Sequence, residues 1–79
     1  MLIHTTNGVY EVREADRRYR RLPDLPTGLP DSWRGFERMT PIRTGAPVVF
    51  FVSRSEHGRV LHFDVVRTSP VTHVLADSA

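Results

Sequence analysis

Arg17, Arg18, Arg20 and Arg21 surround one tyrosine, Tyr19, and Trp33-Arg34 follow beyond a proline-rich stretch. Guanidinium groups bind phosphate or carboxylate in a planar fork, and aromatic rings stack on bases or on guanidiniums. On a β-strand Arg18 and Arg20 point to one face, and Arg17, Tyr19 and Arg21 point to the other. If the Tyr19 ring is exposed, this pattern suits a nucleic-acid backbone with a stacked base. It equally suits an acidic protein surface, because tryptophan and arginine are the residues most enriched in binding hot spots.

A local account competes with both. Glu11, Glu14 and Asp16 precede the arginines and could pair with them across a hairpin, each pair contributing about 0.2–1 kcal/mol. From residue 11 to residue 21, five arginines (Arg13, Arg17, Arg18, Arg20, Arg21) face three carboxylates, leaving +2, the formal net charge of the whole chain. Local pairing therefore accounts for many of these charges but not all. The residues expected to bind are Arg17, Arg18, Tyr19, Arg20, Arg21, Trp33 and Arg34.

Other chemistry finds little support. Ser69, His62 and Asp64 contain the residue types of a hydrolytic triad, yet side chains two apart on a strand diverge too far for its hydrogen bonds. No Gly-x-Ser-x-Gly turn occurs, and the five glycines stand singly rather than in a phosphate loop. His4, His57, His62 and His73 lack metal-ligand spacing, and without cysteine neither a thiolate site nor a disulfide can form. The expectation is a protein without catalytic activity, cofactor or metal.

The elements that must position these residues are short strands. Helical periodicity is poor, whereas β-branched and aromatic runs punctuated by Gly, Pro and Asn recur. Leu2–Thr6 and Val9–Glu14 flank Asn7-Gly8, a pair suited to the positive φ angles of a type I′ hairpin turn. Tyr10 and Val12 share one face of the second strand; Val9, Glu11 and Arg13 share the other. A turn at Ala15-Asp16-Arg17 leads into Arg18–Leu22. A helix over Glu11–Leu22 is the alternative, but its apolar face is interrupted between Val12 and Tyr19.

Pro23 to Asp31 carries three prolines and a glycine and forms a long loop, expected to be pinned by Leu25, Leu29 and Trp33 over one end of the sheet. Phe36–Thr40 is a further strand. In Val48–Val52 five consecutive apolar residues imply cover on both faces, by the loop or by a partner. A turn at 55–58 joins this strand to Arg59–Arg67, with Leu61, Phe63 and Val65 inward. Ser69-Pro70 ends that strand, and Val71–Leu75 is the last one before a frayed tail at 76–79. Five to seven strands with one long Pro-rich loop predict a small all-β barrel of SH3-like or OB-like type, a single domain over residues 1–75.

With 79 residues the chain can bury one modest core. The longest apolar run, Ala46–Val52, is far short of the roughly 20 residues of a membrane helix. The N-terminus carries no basic stretch followed by an apolar one, so a cytoplasmic location is expected. All eleven basic residues are arginine, which GC-rich coding explains without any appeal to nucleic acid.

The segments Ile3 to Val12, Arg18-Tyr19-Arg20-Arg21-Leu22, Asp31-Ser32-Trp33-Arg34, Met39-Thr40-Pro41 through Gly45, and Arg67-Thr68-Ser69-Pro70-Val71-Thr72 together resemble small uncharacterised proteins of actinobacteria and their phages. The likeness runs through most of the chain, with Gly8 where a serine is expected. It implies a phage or mobile element of a GC-rich host and carries no activity with it. The reading is a non-enzymatic module binding a protein partner. Nucleic-acid binding through Arg17–Arg21 is the alternative, and a virion or other structural subunit, with homo-oligomers possible, is the third.

Overall fold

The computed structural model describes residues 1–24, 28–56 and 59–76, with the side chains of 53–63 left aside. Seven strands, β1 (Leu2–Thr5), β2 (Gly8–Arg13), β3 (Arg18–Arg21), β4 (Arg34–Gly35), β5 (Arg38–Met39), β6 (Pro47–Glu56) and β7 (Arg59–Leu75), form one antiparallel sheet in the order β4-β3-β2-β1-β7-β6-β5. No helix is present among the described residues, and the alternative helix over 11–22 is instead the β2–β3 hairpin. The sheet curls into a half-barrel. Its two edge strands belong to one short segment: the Phe36 amide donates to Arg17 O (2.9 Å), and the next amide, of Glu37, donates to Phe51 O (2.7 Å). That hand-over ties the two edges of the sheet together, which limits the unpaired backbone a small sheet exposes.

Ile3, Val12, Tyr19, Phe36, Val48, Phe50 and Val71 make the core. Period-two alternation delivers Val12 and the half-buried Tyr10 to one face of β2, as the residue pattern predicts. At the centre three rings meet: Tyr19 stacks on Phe50 (centroids 4.1 Å apart, planes 6° apart), and Phe36 lies 5.3 Å from Phe50. They come from β3, β6 and the segment joining β4 to β5, so the cluster binds the two halves of the sheet together.

Several expectations fail for identifiable reasons. The first hairpin pairs Thr5 with Gly8, so its loop is Thr6-Asn7 rather than Asn7-Gly8. Neither Asn7 nor Gly8 has a positive φ, and the Thr5 hydroxyl closes the turn instead, accepting from Gly8 N (3.1 Å) and donating to Gly8 O (2.8 Å). Gly8 matters for space: a Cβ there would meet the Arg21 guanidinium at 2.9 Å, and that guanidinium donates to Asn7 O at 2.7 Å.

Pro70 does not break the last strand. It sits where β7 leaves β6 (Pro47↔Pro70) and takes up β1 (Thr5↔Val71), a place where the ladder does not need its missing amide. The irregularity at this point is satisfied by the buried Thr68, whose hydroxyl accepts from Val48 N at 2.9 Å. Val65 is 57% exposed rather than inward, because Phe50 pairs with Val66 and the core side of β6 thereby selects Val66 and Thr68. Leu61 and Phe63 have side chains outside the described set.

The outer face of β6 is covered at Phe51 by the Arg38 guanidinium (4.6 Å from the ring centroid), and residues 25–27 of the proline-rich loop lie outside the described residues. Leu29 is 89% exposed and pins nothing, since no neighbouring strand reaches it; Leu25 lies outside the described residues, as do the centre of the 55–58 turn and residues 77–79. The single glycine with a left-handed backbone, among the described residues, is Gly45 (φ 87°), in a turn whose amide donates to Val71 O (2.8 Å) and straps the 40–46 segment onto β7.

Candidate binding surface on the β2–β3 hairpin

The turn at Glu14–Arg17 fixes the hairpin register. Arg17 adopts φ 52° and its amide donates to Glu14 O, which leaves Arg13 paired with Arg18, Val12 with Tyr19 and Glu11 with Arg20. Since Val12 is wholly buried, Tyr19 must be buried with it, and only 4% of it is exposed. The expectation of an exposed Tyr19 ring is thereby corrected: its face is occupied by Phe50.

The outer face carries Glu11, Arg13, Arg18 and Arg20, and the loop lays Trp33 across it. The Trp33 ring centroid lies 4.4 Å from the Arg13 guanidinium carbon and 4.3 Å from that of Arg20. Arg20 is further held by Glu11, with Nε donating at 2.8 Å and Nη2 at 2.7 Å to the same carboxylate oxygen. Arg18 is exposed and has no ion-pair partner among the described residues; neither has Arg13. Arg13, Asp16, Arg18 and Trp33 line an open cleft of about 300 Å³.

The expected site residues thus divide. Arg18, Arg20 and Trp33 share the outer face, Arg17 sits in the exposed turn, and Tyr19 is core. Arg21 turns toward Asn7 O and lies 3.9 Å from Asp24, and Arg34 is exposed on β4. Arg13 was not among the expected residues, although it belongs to the outer face by simple alternation from Val12. Among the described residues no three His, Asp or Glu side chains converge as metal ligands. His4 and His73 stack directly across β1 and β7 (4.0 Å, 14°). The side chain of His62, and His57 entirely, lie outside the described set.

Burial raises the Tyr19 phenol above its ordinary 10, and the nearby Arg34 guanidinium opposes this only in part. The sign follows directly. The unfolded chain loses the Tyr19 proton near pH 10 while the folded chain holds it, so stability present below pH 10 falls as pH rises further. Urea midpoints between pH 9 and 11 should therefore decline in the wild type and decline less in Tyr19→Phe; equal slopes would contradict this.

Among the described residues no helix is long and apolar enough to cross a membrane. No protein-family model, curated protein or solved structure matches this chain. The functional reading rests on the geometry of the hairpin.

Proposed function

We propose that this chain is a non-enzymatic, cytoplasmic binding module that recognises an acidic feature of a protein partner on the outer face of the β2–β3 hairpin. One observation carries the reading: Arg13 and Arg18 stand directly opposite each other on adjacent strands, and neither has a carboxylate partner among the described residues. Like charges so placed destabilise a sheet. Trp33 offsets the cost for Arg13 alone, so Arg18 is left as an unneutralised cation beside an aromatic ring. A carboxylate supplied from outside would complete the cleft, with Trp33 and Arg18 as its anchors.

Nucleic acid is the weaker reading. With Tyr19 in the core against Phe50, the exposed ring that favoured it is gone. A phage or mobile-element origin, implied by the resemblance, would make the partner a host or virion protein.

Arg18→Glu tests the reading by opposite signs. It should stabilise the free protein by about 0.5–1 kcal/mol, because a like-charged pair becomes an ion pair, and should weaken binding of a glutamate-rich peptide at least tenfold. A lower urea midpoint for this variant would mark Arg18 as structural and overturn the assignment.

A further inference from the structure

Beside β3 the chain at 31–34 runs past the end of the strand, held by the Asp31 amide donating to Arg21 O at 3.0 Å. Between them is a recess of about 160 Å³ whose lining includes Tyr10, Tyr19, Arg21, Asp31, Ser32 and Arg34. A water molecule occupies roughly 30 Å³ of liquid, so there is room for a larger group. The Tyr19 hydroxyl here is buried and has no hydrogen-bond partner. An unmet buried hydroxyl costs free energy, and such groups call for an explanation.

What surrounds it supplies one. Arg34 lies close enough to act on the phenol electrostatically without making a well-formed hydrogen bond. Guanidinium groups only donate, so Arg34 can serve the phenol oxygen but not its proton, which needs an acceptor. The recess therefore offers donors from Arg34 and Tyr19, and from Arg21 beyond those it turns to Asn7 O and Asp24, and none of its acceptors meets the hydroxyl. Asp31 at the rim is exposed and makes no bond to the hydroxyl. The lining holds three arginines, Arg20, Arg21 and Arg34, against this one carboxylate; Glu11 takes up Arg20 and Asp24 lies 3.9 Å from Arg21, so Arg34 is left without an ion-pair partner among the described residues. The Arg34 side chain, exposed on β4, can swing aside to admit a group to the hydroxyl beneath it.

We propose that this recess is an oxyanion site that takes one phosphate or carboxylate group between Arg34, Arg21 and the Tyr19 hydroxyl. Its anchors Arg34, Arg21 and the Tyr19 hydroxyl differ from those of the Trp33 cleft; Arg20, which stacks on Trp33, also lines the recess, so Tyr19→Phe rather than an Arg20 variant separates the two sites. Charge-assisted hydrogen bonds from arginine supply the attraction, and the tyrosine proton supplies a fixed directional contact at the floor.

The test is titration of the intact protein with inorganic phosphate, and separately with acetate, at constant ionic strength, following backbone amide resonances. Saturable shifts at Tyr19, Arg21 and Arg34, with Arg43 and Arg67 unmoved, are expected. Saturation by phosphate alone identifies a phosphoryl ligand; saturation by acetate identifies a carboxylate. Tyr19→Phe keeps the ring on Phe50 and should fold at least as well, while binding the anion about tenfold more weakly. Arg34→Gln should lose at least as much. Shifts that never saturate with either anion, or affinities unchanged in both variants, would overturn the proposal.

Discussion

Phe50→Ala is expected to remove about half of the protein's stability at 25 °C. Removing a buried phenylalanine side chain costs about 3–5 kcal/mol, and at roughly 0.05–0.15 kcal/mol per residue the whole domain has only about 4–12 kcal/mol of stability. Phe50 lies at the upper end of that range because it has no exposed surface and touches both other rings of the central cluster. Each aromatic pair adds about 0.5–1.5 kcal/mol beyond area burial. The loss also falls on topology: Tyr19 and Phe36 belong to segments that meet β6 through this cluster, the Glu37 amide and the short β5 pairing. Phe50→Leu fills most of the volume and should fold with a reduced urea midpoint. A cooperative, near-wild-type transition for Phe50→Ala would show that the sheet holds its curl without the rings.

Trp33→Ala has the second large effect, and it falls on binding rather than folding. Trp33 is half-buried, lies on the surface of the hairpin, and touches the core cluster nowhere. Its two guanidinium contacts are each worth about 0.5–1 kcal/mol at an exposed site, so the free protein should lose stability only modestly. As an interface anchor the same ring should account for about 2 kcal/mol or more of affinity, roughly thirtyfold in Kd. The effects are separable in one sample by measuring thermal stability and peptide affinity together. Collapse of the fold with Trp33→Ala would assign the ring to the structure alone.

The parts of this account that were legible in the residues are those governed by local periodicity. Alternation puts Tyr10 and Val12 on one face and Glu11 and Arg13 on the other, and it separates Arg18 and Arg20 from Tyr19, whereas Arg17 sits in the turn and on neither face. Which face was core was recoverable too: a four-residue turn at 14–17 forces Val12 opposite Tyr19, and two residues opposite each other share a side of the sheet. The failures are long-range. Nothing local to Val65 reports that its neighbour Val66 faces Phe50. Pro70 looked like a terminator because its own strand changes partners there, which is a property of β1 and β6. Trp33 reaches Arg13 through a loop whose path the prolines constrain but do not specify. Gly8 looked like a turn glycine, yet its small size serves Arg21, on β3 beyond the next turn.

Arg13 illustrates how local and distant causes combine. Its cross-strand neighbour is a second arginine, an arrangement that a hairpin optimised only for stability would avoid. Trp33 arrives from elsewhere in the chain and covers one of the two cations, while Glu11 pairs with Arg20 rather than with either of them. Arg18 is the charge that remains.

The most direct test of the hairpin surface is a two-probe titration followed through the Trp33 indole resonance and the Arg18 amide, using a glutamate-rich peptide and a single-stranded oligonucleotide of equal charge at two salt concentrations. The account predicts saturable peptide binding that moves both signals, survives moderate salt, and disappears in Trp33→Ala. Tighter binding of the oligonucleotide, falling steeply as salt rises, would contradict it.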